Sequence, residues 1–321
     1  MRPEITRRAF LKGSVIAACS IASTSSVARA AAAIKTGEPI ATLIDISRCT
    51  GCEECVHACK EVNADKYPKP AKPFPKMYPK SVKVEDWSDK TDATERLTPY
   101  NWLYIQSATV DINGEKKELT IPRRCMHCTN PPCVKLCPWG ASIQLDNGIS
   151  RIDSDICLGG AKCQTVCPWL IPQRQTGVGL YLDILPAFAG NGVMYKCDRC
   201  YNRMARGEIP ACIKICPENV QTIGPRDEIL KQAHDLAASM NGYIYGEKEN
   251  GGTNTFYVSP VPFDKLNESI EKGKGQPHLA SVENSMATGD KLAMAMLVAP
   301  VAGVMGAAVR FYSMSKKRMI K

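Results

Sequence analysis

Of the sixteen cysteines in this 321-residue chain, fifteen fall into four short runs, and no other feature restricts the fold as strongly. The first run is Cys49, Cys52, Cys55 and Cys59. The second is Cys125, Cys128, Cys133 and Cys137, with Pro138 after it. The third is Cys157, Cys163 and Cys167, with Pro168 after it, and the fourth is Cys197, Cys200, Cys212 and Cys216, with Pro217 after it. The chain is too long for a small disulfide-stapled scaffold, and its thiols are too many and too regular for ordinary core residues. An internal repeat of this kind organises the whole body of the protein.

Three closely spaced cysteines let one tight turn wrap three corners of a cubane, with backbone amides pointing at the sulfides. A fourth cysteine three residues on, often before proline, starts a segment that reaches the neighbouring cluster of a pair. Tetrahedral zinc also uses Cys-x2-Cys pairs. Zinc sites seldom add a third cysteine at this spacing followed by Cys-Pro, and zinc does not account for four such runs. The runs therefore predict iron–sulfur clusters. In the third run the position where a cysteine belongs is Gly160, which cannot act as a ligand. Three sets of four thiols and one set of three predict three 4Fe-4S clusters and one 3Fe-4S cluster. A 4Fe-4S cluster with water or a non-cysteine ligand at its odd iron is the alternative.

Charge locates the ends of the chain. The formal net charge is +9. Residues 1–30 hold Arg2, Arg7, Arg8, Lys12 and Arg29 against Glu4, and residues 310–321 hold five basic side chains and no acid, so residues 31–309 are neutral. A neutral body excludes the nucleic-acid reading that a basic chain invites. The Arg7-Arg8 pair, a weakly apolar stretch and Ala28-Arg29-Ala30 predict a twin-arginine export signal over residues 1–30, cleaved after Ala30, with Cys19 discarded. Export encourages a disulfide reading, but twin-arginine transport moves folded proteins whose clusters are already in place. Residues 292–309 are an 18-residue uncharged stretch, about 27 Å as a helix and long enough to cross a bilayer. We expect a transmembrane helix over 291–310 and a basic cytoplasmic tail over 311–321, which leaves the body outside the cytoplasm. Ala295, Ala299, Gly303 and Ala307 give that helix a small-residue face suited to a membrane partner.

Between the ends, residues 40–46 read as a strand leading to Cys49, and residues 102–105 and 118–121 as short strands about Asn113-Gly114. Residues 143–152 read as a hairpin turning at Asn147-Gly148. Residues 227–240 carry the clearest helical period. The segment 62–100 is a Pro/Lys-rich insertion, with Lys66, Lys69, Lys72, Lys76 and Lys80 read as a stiff solvated loop. Residues 226–290 form a helix and tail expected to contact partner subunits. His57 and His127 lie between cysteines and read as packing or tuning groups, and His234 as an ordinary helix residue. No nucleotide loop, hydrolytic triad, molybdopterin or haem motif is found, so the chain has no substrate site of its own and catalysis belongs to a partner.

With these residues in view, the chain resembles the ferredoxin-like electron-transfer subunits of membrane respiratory oxidoreductases, which partner formate dehydrogenases, polysulfide and dimethyl sulfoxide reductases and hydrogenase-2. The segment 245–253 and Val261-Pro262 resemble the hydrogenase-2 type most. The resemblance implies an α+β fold over residues 31–225: two pseudo-symmetric 2×(4Fe-4S) ferredoxin folds with inserted loops. It also implies a nesting of the runs. Cys49, Cys52, Cys55 and Cys216 would hold one 4Fe-4S cluster, and Cys197, Cys200, Cys212 and Cys59 another. Cys125, Cys128, Cys133 and Cys167 would hold a third, and Cys157, Cys163 and Cys137 the 3Fe-4S cluster, nearest the membrane. The implied partners are an extracytoplasmic catalytic subunit and a polytopic quinone-binding membrane subunit, with menaquinone as acceptor. Gly160 departs from the all-cysteine hydrogenase-2 form. A high-potential last cluster also suits a menaquinone reductase fed by multihaem cytochrome c, and a molybdopterin oxidoreductase is the further alternative.

Overall fold

The computed structural model describes residues 28–288, apart from 78, 113 and 185–190. Residues 1–27 of the export signal expected over 1–30, and the membrane helix expected over 291–310, therefore lie outside the described residues. Among those described, no helix is long and apolar enough to cross a membrane. The described chain opens with helix α1 over residues 28–36, which buries Ala30 and Ala33 and places Arg29 3.1 Å from Glu228.

Strand β1 (Ile40–Asp45) is buried along its whole length, because it is the second of four strands in a sheet covered on both faces. Asp45 then accepts from the Ser47 amide and turns the chain into Cys49. Helix α2 (Glu54–Val62) carries Cys55 and Cys59. After the insertion, β2 (Tyr104–Ile112) and β3 (Glu115–Arg123) form one long hairpin, each strand extending well beyond the short segments read from the sequence. The middle of the chain is built of short elements: α3 (Pro132–Lys135), the hairpin β4 (Ser142–Gln144) and β5 (Ser150–Ile152), and α4 (Lys162–Thr165). They are followed by β6 (Gln173–Gln175), α5 (Leu180–Ile184), β7 (Val193–Tyr195), α6 (Tyr201–Ala205) and α7 (Ala211–Lys214).

Strand β8 (Gln221–Pro225) pairs antiparallel with β1 and runs directly into α8 (Arg226–Ser239). The sheet is completed by β9 (Tyr243–Tyr245) and β10 (Thr255–Ser259) in the order β8-β1-β10-β9, with β10 parallel to β1, and α9 (Phe263–Ser269) follows. One face of the sheet receives Ile229, Ala233 and Ala237 of α8 against Ala41, Leu43, Phe256 and Val258. The opposite face, with Ile40, Ile44 and Tyr257, joins the larger core that contains the cysteines. Alternation along β1 thus assigns one set of side chains to the helix and the other to the metal-binding side.

The insertion is irregular, as its prolines require, but it is not a free solvated loop. Ala71 donates to the Gly177 carbonyl, Thr176 donates to the Glu85 carbonyl, and the Gln175 side chain accepts from the Trp87 amide. Lys66 pairs with Asp198 at 2.7 Å and Lys72 with Asp86 at 2.9 Å, so two of the five lysines are tied down. Arg174 is the clamp. It donates to the carbonyls of Gly159 and Lys83 and to Glu85 Oε1. Removing that buried guanidinium takes the donor from two carbonyls, at about 1–3 kcal/mol each before relaxation, and leaves Glu85 to Lys274 alone. We expect Arg174→Met to make the lysines of residues 66–90 markedly more sensitive to trypsin, as read by limited proteolysis.

Candidate functional site

All fifteen cysteines of the runs are free thiols, and most are buried. Their side chains lie near one another along one row. Cys49 has Cys52 and Cys216 as neighbours, and Cys55 has Cys212, Cys49 and Cys216. These four line one pocket together with Ile105, Pro122 and Val220. Cys59 faces Cys212, Cys197 and Cys200. Cys125, Cys128, Cys133 and Cys167 line a second pocket with Trp169, Ile171 and Lys196. Cys137 neighbours Cys157, and Cys163 neighbours both. Among the described residues, no group of three or more His, Cys, Asp or Glu side chains is placed to hold a single metal ion.

The helices explain how the sets are joined. Cys55 and Cys59 are four residues apart on α2, so they share a face about 6 Å apart along the axis. One is delivered to the first set and the other to the second. The same spacing recurs in Cys212 and Cys216 at α7, Cys133 and Cys137 at α3, and Cys163 and Cys167 at α4. In these three the helix carries the first cysteine of the pair and the second follows two residues beyond the helix end. Helix α2 packs on α7 and α3 on α4, which joins the first set to the second and the third to the fourth. Between the second and third sets no helix is shared. There Cys197 lies near Cys125, and the space around them holds buried basic side chains.

Burial, reinforced by neighbouring thiols, pushes several of these side chains up. Cys167 is raised to about 12 and Cys197 and Cys200 to about 11. Without metal these three are neutral thiols at physiological pH. Iron ligation requires the thiolate, and the surroundings suit that charge. The amides of Arg199 and Val220 lie 3.4 Å from the sulfurs of Cys197 and Cys216. Amides of Gly159 and Met194 approach Cys157, and those of Trp169 and Ile171 approach Cys167. Asn250 Nδ2 donates to Cys128 Sγ at 3.4 Å, and Arg124 Nη1 to Cys212 Sγ at 2.9 Å. The donor set is all thiol, ringed by N–H groups and buried cations, and it fits iron–sulfur clusters.

Of the histidines between cysteines, His57 is exposed, whereas His127 is buried at 1% exposure. Its Nδ1 accepts from the Ser150 amide at 3.2 Å. Burial and the nearby Arg199, Lys196 and Arg124 hold it well below its ordinary value, so it is neutral. His234 is half exposed and pairs with Glu247 at 3.1 Å. Gly160 is exposed, has an ordinary backbone conformation, and a Cβ added there meets nothing within 4 Å.

The basic residues around the sulfurs are absent from the sequence-based expectations, although Arg124 and Lys196 each stand immediately before a cysteine. A lone basic residue ahead of a ligand is too common a pattern to single out. Residues 226–290, expected only to face partners, have a larger part. In the structure β9 and β10 complete the central sheet, and the tail beyond them straps the third set. Tyr245 donates to the Ala280 carbonyl and receives a bond from Trp169, beside Cys167. Asn250, which reaches Cys128, also holds Ser285.

Comparison with known proteins agrees with an iron–sulfur site. A family model described as a 4Fe-4S dicluster domain matches residues 117–226, and a second of the same description matches residues 48–141. The chain is 27% identical over 300 residues to the hydrogenase-2 operon protein HybA of Escherichia coli O157:H7, covering 82% of this chain and 83% of HybA. It is 30% identical over 226 residues to the nitrate-inducible formate dehydrogenase iron-sulfur subunit of Escherichia coli K12, covering 68% and 67% of the two chains. It is 32% identical over 195 residues to the B subunit of the anaerobic dimethyl sulfoxide reductase of that organism, covering 61% and 78%.

Proposed function

Because the chain belongs to the ferredoxin-like family of 4Fe-4S dicluster electron-transfer subunits found in respiratory oxidoreductases, we propose that it relays single electrons between an extracytoplasmic catalytic subunit and a quinone-binding membrane subunit. The observation that carries this is the order of the sets. Cys55 of the first neighbours Cys212 of the second, Cys197 of the second neighbours Cys125 of the third, and Cys163 of the fourth neighbours Cys133 and Cys167 of the third. Such a row supports a path from one edge of the molecule to the other. When bound, the clusters supply one-electron redox chemistry without proton transfer from the chain.

The edges support docking at both ends. Cys52 is exposed, and Ile215, next to Cys216, is 46% exposed. At the fourth set Leu136, Trp139 and Ile156 stand exposed beside Cys137 and Cys157. Exposed apolar side chains at both termini of a redox row are natural partner surfaces. The described tail is held at Ser285 by Asn250, the residue that touches Cys128. An export signal over residues 1–30 and a periplasmic location with menaquinone as acceptor complete the proposal. The donor is a hydrogenase-2 type subunit. Gly160 favours the second reading, a menaquinone reductase fed by multihaem cytochrome c.

For the cluster content we propose three 4Fe-4S clusters on the four-cysteine sets and a 3Fe-4S cluster on Cys137, Cys157 and Cys163. Isolating the complex through a tag on this chain tests the whole reading. A catalytic or cytochrome subunit and a polytopic membrane subunit should come with it, and this chain should carry about fifteen irons. The oxidised protein should give a three-iron electron paramagnetic resonance signal. In Gly160→Cys, where the new Cβ has open space, that signal should vanish with the gain of about one iron. Sixteen irons and no three-iron signal in the unaltered chain would exclude the 3Fe-4S assignment.

A further inference from the structure

The junction between the second and third sets differs from the other two. It lacks a shared helix and holds Arg124, Lys196 and Arg199, whose exposures are 2%, 6% and 1%. Arg124 donates to Cys212 of the second set. Lys196 lies beside Cys125 and Cys133 of the third set and Cys197 of the second. Arg199 lies near Cys197, Cys212 and Cys125 and is fixed by bonds to the Ile40 and Asn254 carbonyls and Thr255 Oγ1.

Among the described residues no carboxylate is ion-paired with any of the three. The adjacent Asp198 is taken by Lys66. Three cations buried without carboxylates are costly unless another anion faces them. The anions available are the ligated thiolates of the two central sets, which place roughly −2 on each cluster. The fourth set has no such surroundings, since the side chains acting on Cys157 are a thiol and Asp153, and in the first set only Arg124 reaches a sulfur, that of Cys55.

We propose that Arg124, Lys196 and Arg199 form a buried cationic bridge that raises the reduction potentials of the two central clusters relative to what their ligands alone would give. Reduction adds a negative charge, and a cation within a few ångströms in a low-dielectric interior stabilises the reduced form more than the oxidised one. The bridge thereby sets how readily an electron crosses the one junction that no helix spans. The inference rests on the iron–sulfur reading above.

The test is a redox titration of the intact complex followed by electron paramagnetic resonance, comparing the unaltered chain with Lys196→Met, Arg124→Gln and Lys196→Arg. Both charge-removing variants should shift the reduced-to-oxidised ratio of a central cluster at least about tenfold toward oxidised at fixed potential. That is about 59 mV downward for a one-electron couple. The cluster of the fourth set should stay in place in both variants, that of the first set in Lys196→Met, and Lys196→Arg should keep the unaltered potential. Unmoved central potentials in charge-removing variants that retain their iron would overturn the proposal. So would loss of the central signals from both Lys196→Met and Arg124→Gln, since the side chains would then hold the fold rather than the potential. Failure of the iron–sulfur reading would look different, because the unaltered chain itself would lack the cluster signals.

Discussion

Cys59→Ala is expected to abolish donor-dependent quinone reduction by the assembled complex while leaving dye reduction by the catalytic subunit intact. Cys59 is 6% exposed near the end of α2 and faces Cys197, Cys200 and Cys212. Its helix also carries Cys55, which belongs to the first set. Alanine keeps the helix, since it is the best helix former, and leaves Cys55 in position. What is lost is one ligand of the second set. The expected readouts are a loss of up to about four irons per chain and disappearance of one central electron paramagnetic resonance signal. If quinone reduction persisted with that cluster gone, electrons would not be passing along the row, and the relay would have to be redrawn.

The same residue shows how far the sequence could be read. The spacing of Cys55 and Cys59 already says that one turn of helix separates them, hence that they can serve two centres. The repeat of that spacing at Cys133 and Cys137, Cys163 and Cys167, and Cys212 and Cys216 is equally visible. Spacing cannot say which distant run completes each set. That depends on β1 and β8 pairing in one sheet, where Ile44 lies opposite Gln221 and the first run is brought to the fourth. Strand β1 and helix α8 were legible because strong β-branched and 3.6-residue patterns mark them.

The remainder was illegible for physical reasons. Arg174 secures the insertion through carbonyls of Lys83 and Gly159, and backbone acceptors leave no mark on composition. Several turns around the metal ligands need a left-handed backbone at residues that do not advertise it, including Cys200, Arg199 and His127. Their φ values are imposed by the surrounding contacts rather than by intrinsic preference. The cations of the central junction are hidden in another way. They look like ordinary surface charges until burial removes their solvent.

Gly192→Ala is expected to cost the fold at the fourth set, with a loss of roughly 3 kcal/mol or more and of the cluster there. Gly192 has a φ of +87°, and a Cβ built on it would lie 1.8 Å from the Gln175 carbonyl oxygen and 2.8 Å from Thr176 Cα. Both obstacles are backbone, so no side chain can swing aside. Gly159 is held equally close, its own Cβ position being 2.3 Å from the Gly192 carbonyl oxygen. This mutual approach brings the amides of Gly159 and Met194 to Cys157. It also sets the pairing of β6 with β7, where Gln175 lies opposite Val193. Gly140→Ala separates the two contributions. Gly140 has a φ of +66° with open space around its Cβ position, so only the left-handed strain of about 1–2 kcal/mol applies. Thermal denaturation and iron analysis of the two variants should show a small drop in melting temperature with full iron for Gly140→Ala. Gly192→Ala should show a large drop and a deficit of about three irons. Equal behaviour of the two would mean that the close contact of these three backbone segments is not what holds the fourth set.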